Sequence, residues 1–397
     1  MPHPLPRRRR TPIALLSISH AFVDVYQGAV AALVPFFVLE REYTYAAAAT
    51  IVLAASLLSS VVQPIFGAVI DRRPMRLFLP ASTLVAGAGI ALAGVGDVYV
   101  FTVIAVGISG FGVAAYHPAA AVAVRAVSPS DPRAMSWFSL GGNVGFALAP
   151  LLVVGVMSLG GLEASPLLAV PAVAGAVVCL LALRTPASSR PRQEAPGEQP
   201  PPNDWGSFGR LTAAVMCRSV VFVGLSAFVA LYVAERTGDG AVGGAVALFI
   251  LYAGGAAGTL LGGYLAARWP RIAIVRWSYA ATIVAVAGIV WVPGPAIYVF
   301  VALASAGLYV PFSLHVTLAQ DYLPQRVGTA SGVTLGLTVS VGGLATPLFG
   351  WIADTTTLQI GLVPLIGMPA IGLLFLHRLV EPMPPRREAV LSEVTKR

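Results

Sequence analysis

The sequence predicts an all-α membrane protein whose twelve transmembrane helices form two pseudo-symmetric bundles of six. The first observation is composition: 57% of the 397 residues are hydrophobic and only 11% are charged, whereas a soluble protein usually carries about 25% charged residues. The second is a series of apolar runs of the length that a bilayer requires, about 20 residues each. The third is a repeat that relates the two halves of the chain.

Twelve apolar runs follow one another along the chain. They cover residues 13–38, 47–70, 77–96, 98–125, 134–159, 164–184, 210–235, 241–268, 271–292, 295–319, 328–354 and 358–380. One connection is long, polar and rich in proline, and we expect this segment, residues 185–209, to be a cytoplasmic linker. It divides the chain into a six-helix bundle at 1–184 and a second at 210–380, with a cytoplasmic tail at 381–397.

The basic residues indicate how the chain is oriented. If the N-terminus lies inside, Arg41 and Arg236 fall in outer loops and Arg218 falls within a span, so the other 22 of the 25 Lys and Arg residues lie on the inner side. Such a bias is what the positive-inside rule describes. We therefore expect a multi-pass protein of the plasma (inner) membrane, surrounded by lipid bilayer, with both termini in the cytoplasm.

Four pairs of residues recur at nearly constant spacing in the two halves, 196 to 198 residues apart. The pairs are Gly67 and Gly263, His117 and His315, Gly145 and Gly342, and Pro150 and Pro347. Two parallel halves with a site at their interface are typical of secondary transporters. Small residues and prolines allow close packing and kinking of membrane helices, so we expect these roles for Gly145, Pro150, Gly342 and Pro347.

The first span carries three polar residues on one helical face. His20, Asp24 and Gln27 have the spacing i, i+4 and i+7, which places them on the same side of a helix. Ionisable residues inside a membrane are costly, usually face a polar interior and mark a transport pathway. We expect Asp24 to carry a proton, His20 to tune its release, and Gln27 to contact a small-molecule substrate.

Four further polar residues lie inside spans. His117 and His315 occupy the fourth span of each half, Asn143 lies in a Gly-rich fifth span, and Arg218 lies about 12 Å into the seventh. We expect all four to contact substrate. Other roles stay open: the histidines and the amide could serve packing, and Arg218 could extend to the inner interface or pair with Asp24.

The sequence predicts neither an enzyme nor a nucleic-acid-binding protein. Lys396 is the single lysine, so no Walker-type ATP loop is possible, and the arginines form no basic face. We expect no catalytic residue, no metal site and no cofactor. One remote alternative is an intramembrane serine protease, because Gly107-Ile-Ser109-Gly110 is similar to the serine motif of rhomboid proteases.

The loop after the second span carries a more informative motif. Gly67, Asp71, Arg72 and Arg76 match a Gly-x3-Asp-Arg-x-Gly-Arg-Arg pattern, with Pro74 and Met75 in place of the second glycine and a basic residue. This loop resembles that of the major facilitator superfamily. The resemblance implies the major facilitator fold. Gly67 lets two helices approach, and Asp71 can pair with an arginine or cap a neighbouring helix, so we expect the four matching residues to form a conformational latch on the cytoplasmic side. A simple positive-inside anchor stays open as the alternative.

Four other segments resemble the fosmidomycin-resistance branch of that superfamily. They are Ser19-His20-x3-Asp24-x-Tyr26-Gln27-Gly28, Tyr116-His117-Pro118, the Gly-rich stretch from Gly141 to Pro150, and the stretch from Ala330 to Gly343. The resemblance implies a secondary active transporter, a proton-coupled antiporter that exports a drug or small polar metabolite by alternating access. We expect it to act as a monomer. One departure is that residues 119–123 are all apolar, where the branch often has an acidic residue.

Two other functions stay open at this stage. The same transport cycle run in reverse would make the protein a proton-coupled importer of a small organic solute. A channel-like or sensory membrane protein would show no coupled flux, and the repeat of the two halves argues against that class.

Overall fold

The computed structural model describes residues 7–72, 77–127, 132–184, 202–266, 268–326, 329–330 and 333–382. The regular structure in these ranges is helical, and they contain no β-strand. Within them, nine helical segments are long and apolar enough to cross a membrane, and shorter apolar helices cover residues 45–58 and 78–93. The predicted all-α membrane fold is confirmed, and the helices follow the twelve predicted spans in order.

The first half consists of six successive helices. They are α1 (Arg7–Arg41), α2 (Tyr45–Arg72), α3 (Phe78–Ala93), α4 (Tyr99–Val127), α5 (Pro132–Met157) and α6 (Val170–Leu183). A 3₁₀ segment at Gly161–Ala169 leads into α6. Pro150 lies inside α5, which continues beyond it to Met157.

The second half contains shorter helical pieces. They are α7 (Trp205–Thr237), α8 (Gly240–Ala266), α9 (Arg271–Trp291), α10 (Ile297–Tyr309), α11 (Phe312–Tyr322), α12 (Thr338–Thr355), α13 (Leu358–Leu362) and α14 (Pro364–Leu376). The run predicted at 295–319 is divided between α10 and α11, because Pro311 has no N–H to continue the helical hydrogen bonds. Pro364 divides the last span in the same way.

Helix α7 begins at Trp205, inside the segment predicted to be a linker. Asp204 is its N-cap, and its side chain accepts a hydrogen bond from the backbone N–H of Ser207 at 2.9 Å. Hydrogen bonds from Ser207 also lower the pKa of Asp204 below its usual value. Residues 185–201 of the predicted linker and 383–397 of the predicted tail lie outside the described residues.

Equivalent helices pack in equivalent ways in the two halves. Helix α1 packs on α5, and α7 packs on α12. A methyl group on Gly145 would lie 2.6 Å from the carbonyl carbon of Ala21 on α1, and one on Gly342 would lie 2.6 Å from the carbonyl oxygen of Ser219 on α7. Both glycines therefore allow a close backbone approach, and Pro347 lies in α12 as Pro150 lies in α5.

Among the described residues, three pairs of helices make the most extensive contacts between the two halves. Helix α2 packs on α12, α5 packs on α8, and α1 packs on α7. At the side predicted to be outer, the ring of Tyr45 on α2 meets the ring of Phe228 on α7 edge to face, with centroids 6.5 Å apart. The space between these helices contains the central cavity described below.

Candidate functional site

The polar face of α1 is held against α5 by small residues. A methyl group on Gly142 would lie 2.5 Å from both Asp24 Oδ2 and His20 Cε1. The glycine at this position therefore leaves the room that the carboxylate and the imidazole occupy. The His20 ring also stacks on Phe138 of α5, with centroids 4.0 Å apart and planes 12° from parallel. Packing of α1 on α5 thus fixes the orientation of His20.

The structure adds a second imidazole to the predicted pair. His20 Nε2 lies 3.2 Å from Asp24 Oδ2, and His117 Nε2 lies 3.2 Å from Asp24 Oδ1. The two Nε2 atoms are also 3.2 Å apart. His20 and Asp24 are buried and His117 is half-buried. These three side chains, from α1 and α4, are called the Asp24 cluster below.

Backbone contacts determine which ring nitrogens carry hydrogen. His20 Nδ1 lies 2.7 Å from the carbonyl oxygen of Phe138, and His117 Nδ1 lies 2.8 Å from that of Val113. Because a carbonyl oxygen only accepts, each Nδ1 is a donor. Each Nε2 then has a hydrogen only when its ring is charged.

This assignment makes the Asp24 cluster a natural place to hold a proton. With both rings neutral and the carboxylate ionised, the facing atoms would all be acceptors. A proton on either ring supplies the donor that these contacts lack and adds an ion pair with Asp24. The ring nitrogens and carboxylate oxygens of these three residues lie within 4.8 Å of one another, close enough to hold a metal ion together. The absence of a metal site therefore stays a prediction.

A central cavity lies beside the Asp24 cluster, between the two halves. Its empty space, including the open side, measures about 580 Å³. The described residues that line it come from α1, α2, α4, α5, α7 and α8. They are Tyr26, Gln27, Val30, Ala31, Val52, Ala55, Ser56, Ser109, Gly110, Val113, Phe146, Phe222, Val223, Ser226 and Tyr252. Gln27 is exposed in the middle of α1 because it faces this space.

The other predicted substrate contacts lie elsewhere. Arg218 is buried on α7, where its Nη1 donates to the carbonyl oxygen of Leu308 at 2.8 Å. His315 is buried among the helices of the second half, with its Nε2 3.5 Å from the hydroxyl of Tyr279. Asn143 is half-buried on α5. None of these three is among the described residues that line the cavity.

Arg218 has a structural partner that the sequence did not reveal. Leu308 lies near the C-terminus of α10, where Pro311 ends the helix and carbonyl groups lose their helical donors. A cation at a helix C-terminus is favourable. The guanidinium also lies 5.2 Å from the ring centroid of Phe312 on α11. Arg218 thus joins α7 to the break between α10 and α11.

The predicted cytoplasmic latch falls on side chains outside the described residues. Gly67, Asp71 and Arg72 belong to α2, but their side chains lie outside the described residues, as does Arg76 altogether. A contact between the halves is present at the predicted outer side instead. There the carboxylate of Asp354 on α12 accepts hydrogen bonds from the backbone at the start of α2.

The sequence did not reveal the aromatic residues that line the cavity. Phe146, Phe222 and Tyr252 lie inside apolar runs, where an aromatic residue is usually part of the helix packing. The one available signal was the position of Phe222, a single helical turn from Arg218.

Comparisons with known proteins agree with this architecture. The chain is 25% identical over 378 residues to the fosmidomycin resistance protein of Escherichia coli (strain K12), which covers 91% of this chain and 92% of the relative. It is also 25% identical over 376 residues to the uncharacterized MFS-type transporter YfnC of Bacillus subtilis (strain 168), with 91% of each chain covered.

Two solved structures have the same fold. A bacterial homologue of the human lysosomal transporter Spinster, in an inward-facing and occupied conformation, superposes with a TM-score of 0.78 at 14% identity, covering 94% of this chain and 98% of that one. The nucleoside transporter NupG gives a TM-score of 0.70 at 15% identity, covering 94% and 100%. Residues 16–347 match the sequence profile of the Major Facilitator Superfamily. The chain therefore belongs to the Major Facilitator Superfamily and is a membrane transporter, not an intramembrane protease or any other enzyme.

Proposed function

We propose that the protein is a proton-coupled antiporter that exports a drug or small polar metabolite from the cytoplasm. In this proposal, it resides as a monomer in the inner membrane with both termini inside. The observation that carries the proposal is the Asp24 cluster, in which a buried carboxylate lies between two imidazoles beside the central cavity. Such intramembrane clusters of Asp and His are the groups from which proton relays are built.

The cluster and the cavity share the same helices. Asp24 and Gln27 lie one turn apart on α1, and Gln27 lines the cavity. On α4, His117 donates to the carbonyl of Val113, and Val113 also lines the cavity. A substrate that displaces α1 relative to α4 would therefore change the distance between Asp24 and His117. Through this linkage, we propose, substrate entry favours proton release, so that the transporter holds the substrate and the proton in alternation.

The transport cycle requires the cavity to open to each side in turn. The outer contact of Asp354 with the start of α2 would close the outer side in one state. We propose that Gly67, Asp71, Arg72 and Arg76 close the cytoplasmic side in the opposite state. Of the predicted substrate contacts, we retain Gln27, and we assign His117 to proton coupling together with Asp24 and His20.

The direction of export is supported by the name of one relative, the fosmidomycin resistance protein. Resistance to a drug is the expected result when a transporter moves that drug out of the cell. The cycle is reversible, so import of a small organic solute would use the same residues.

The test uses everted membrane vesicles with an acidic lumen, and a pH-sensitive dye reports the pH difference across their membrane. Each compound of a drug panel is added to vesicles that contain the wild-type protein, Asp24→Asn, or no transporter. An exporter dissipates the proton gradient when its substrate is added, and we expect this only with the wild-type protein. The same measurement with EDTA present checks that no metal is involved. The drug panel includes the compounds to which expression of the protein makes cells resistant. If none of these compounds dissipates the proton gradient, proton-coupled export is overturned.

A further inference from the structure

The central cavity offers aromatic surfaces from both halves. Phe146 of α5 meets Tyr252 of α8 edge to face, with centroids 4.3 Å apart. Phe222 of α7 lies 6.2 Å from Tyr252 and 5.6 Å from Tyr309. Phe146 and Phe222 are only half-buried, so their rings present free surface to the cavity. Aromatic rings prefer offset or edge-to-face partners, and an aromatic ligand packed on these free surfaces would find such partners.

The polar groups of the cavity are few and uncharged. Gln27 contributes an amide. Ser109 is 1% exposed, and its hydroxyl has no hydrogen-bond partner in the part of the chain that the structure describes. A buried hydroxyl without a partner is costly, and a ligand group could satisfy it. None of the described residues that line the cavity carries a charged side chain.

The intramembrane charges Asp24 and Arg218 are not among the described residues that line the cavity. The carboxylate of Asp24 is flanked by His20 and His117. The guanidinium of Arg218 donates to the carbonyl of Leu308 and lies against Phe312. A charged ligand in the cavity would therefore lose its water without gaining a counter-ion, which is strongly unfavourable.

We propose that the transported molecule is uncharged and carries an aromatic ring with one or two hydrogen-bonding groups. Its ring packs on the free surfaces of Phe146 and Phe222, and its polar group reaches Gln27 and Ser109. This substrate class rests on the proposed role of the cavity as the transport site.

The test compares three probes with the same ring, at neutral pH, on the purified full-length protein in lipid nanodiscs. They are 2-naphthamide (neutral), 2-naphthoate (an anion) and 2-naphthylmethylamine (a cation), and binding is measured by calorimetry. We expect 2-naphthamide to bind and both charged probes to bind at least tenfold more weakly. Absence of 2-naphthamide binding, or equal or tighter binding of either charged probe, would overturn the proposal.

Variants locate the binding site of the probe. Phe222→Leu should weaken binding of 2-naphthamide at least threefold, and Ser109→Ala should also weaken it. Phe375→Leu is the matched control, because Phe375 is 39% exposed on the last helix and lies away from the cavity. Equal affinities in Phe222→Leu and Phe375→Leu would count against the site. These measurements need no proton gradient, so a failure of proton coupling alone would leave them unchanged.

Discussion

The carboxylate of Asp354 caps the N-terminus of α2 at Tyr45, although the two residues belong to opposite halves of the transporter. Asp354 Oδ1 accepts from the backbone N–H of Tyr45 at 2.7 Å, and Oδ2 accepts from that of Ala46 at 2.9 Å. Gly350 allows this approach, because a methyl group there would lie 2.8 Å from the backbone of Ala46. An outward opening must break these hydrogen bonds.

Asp354→Ala should therefore favour outward opening of the transporter. Loss of an N-cap costs about 0.5–2 kcal/mol, which corresponds to roughly a twofold to thirtyfold change in the opening equilibrium. The measurement is the labelling rate of Ser226→Cys by a membrane-impermeant maleimide added outside, with Cys179 and Cys217 replaced by Ser. Asp239→Ala is the control, since Asp239 accepts a hydrogen bond from Tyr298 within its own half. Equal labelling rates in both variants would show that Asp354 does not hold the halves together.

Gly145→Ala should destabilise the first half. The added methyl group would meet the backbone of Ala21 on α1, and such overpacking costs about 1–3 kcal/mol. Gly155→Ala, in the same helix, is the matched control, because nothing lies within 4 Å of the position that its methyl group would take. We expect a lower Tm in detergent for Gly145→Ala alone. A Tm equal to that of the control would contradict the close packing of α1 on α5.

Arg218→Gln should affect stability more than substrate binding. The arginine donates to the carbonyl of Leu308, and hydrogen bonds to charged groups contribute about 1.5–3 kcal/mol. We expect a lower Tm, partial recovery in Arg218→Lys, and an affinity for 2-naphthamide within about twofold of wild type. If binding is lost while the Tm is unchanged, Arg218 is the substrate contact that its position in the sequence first indicated.

Exchange of a proton for an uncharged molecule should be electrogenic, since each turnover moves net charge across the membrane. Addition of 2-naphthamide to proteoliposomes on a solid-supported membrane should therefore produce a current with the wild-type protein. The Asp24→Asn variant should give none. Transport of 2-naphthamide without a current would show that its movement is not coupled to movement of a proton.

The thickness of the bilayer explains why the spans could be predicted from the sequence. Each apolar run must cross the same thickness of hydrocarbon, so the sequence indicates where each span lies. This holds even for the tenth span, which Pro311 divides between α10 and α11. The pairing of His20 and Asp24 could be predicted as well, because it depends only on helical spacing. Both residues lie on α1, four positions apart.

Contacts between helices could not be predicted in this way. His117 was expected to bind substrate, but it lies against Asp24 because α4 packs on α1. Gly142 of α5 leaves room for the side chains of His20 and Asp24. Phe222 could not be told apart from the other apolar residues of α7. Its role depends on which face of the helix meets the cavity, and residues from the other half decide that.

The most direct test of the central claim separates coupling from binding in Asp24→Asn. A radiolabelled substrate from the drug panel is added outside proteoliposomes, and two fluxes are measured: exchange with unlabelled substrate inside at equal pH, and net accumulation driven by an acidic lumen. We predict that the variant retains exchange and loses gradient-driven accumulation, because the amide cannot carry the proton that Asp24 shares with His20 and His117. Gradient-driven accumulation at the wild-type level in Asp24→Asn would contradict the account.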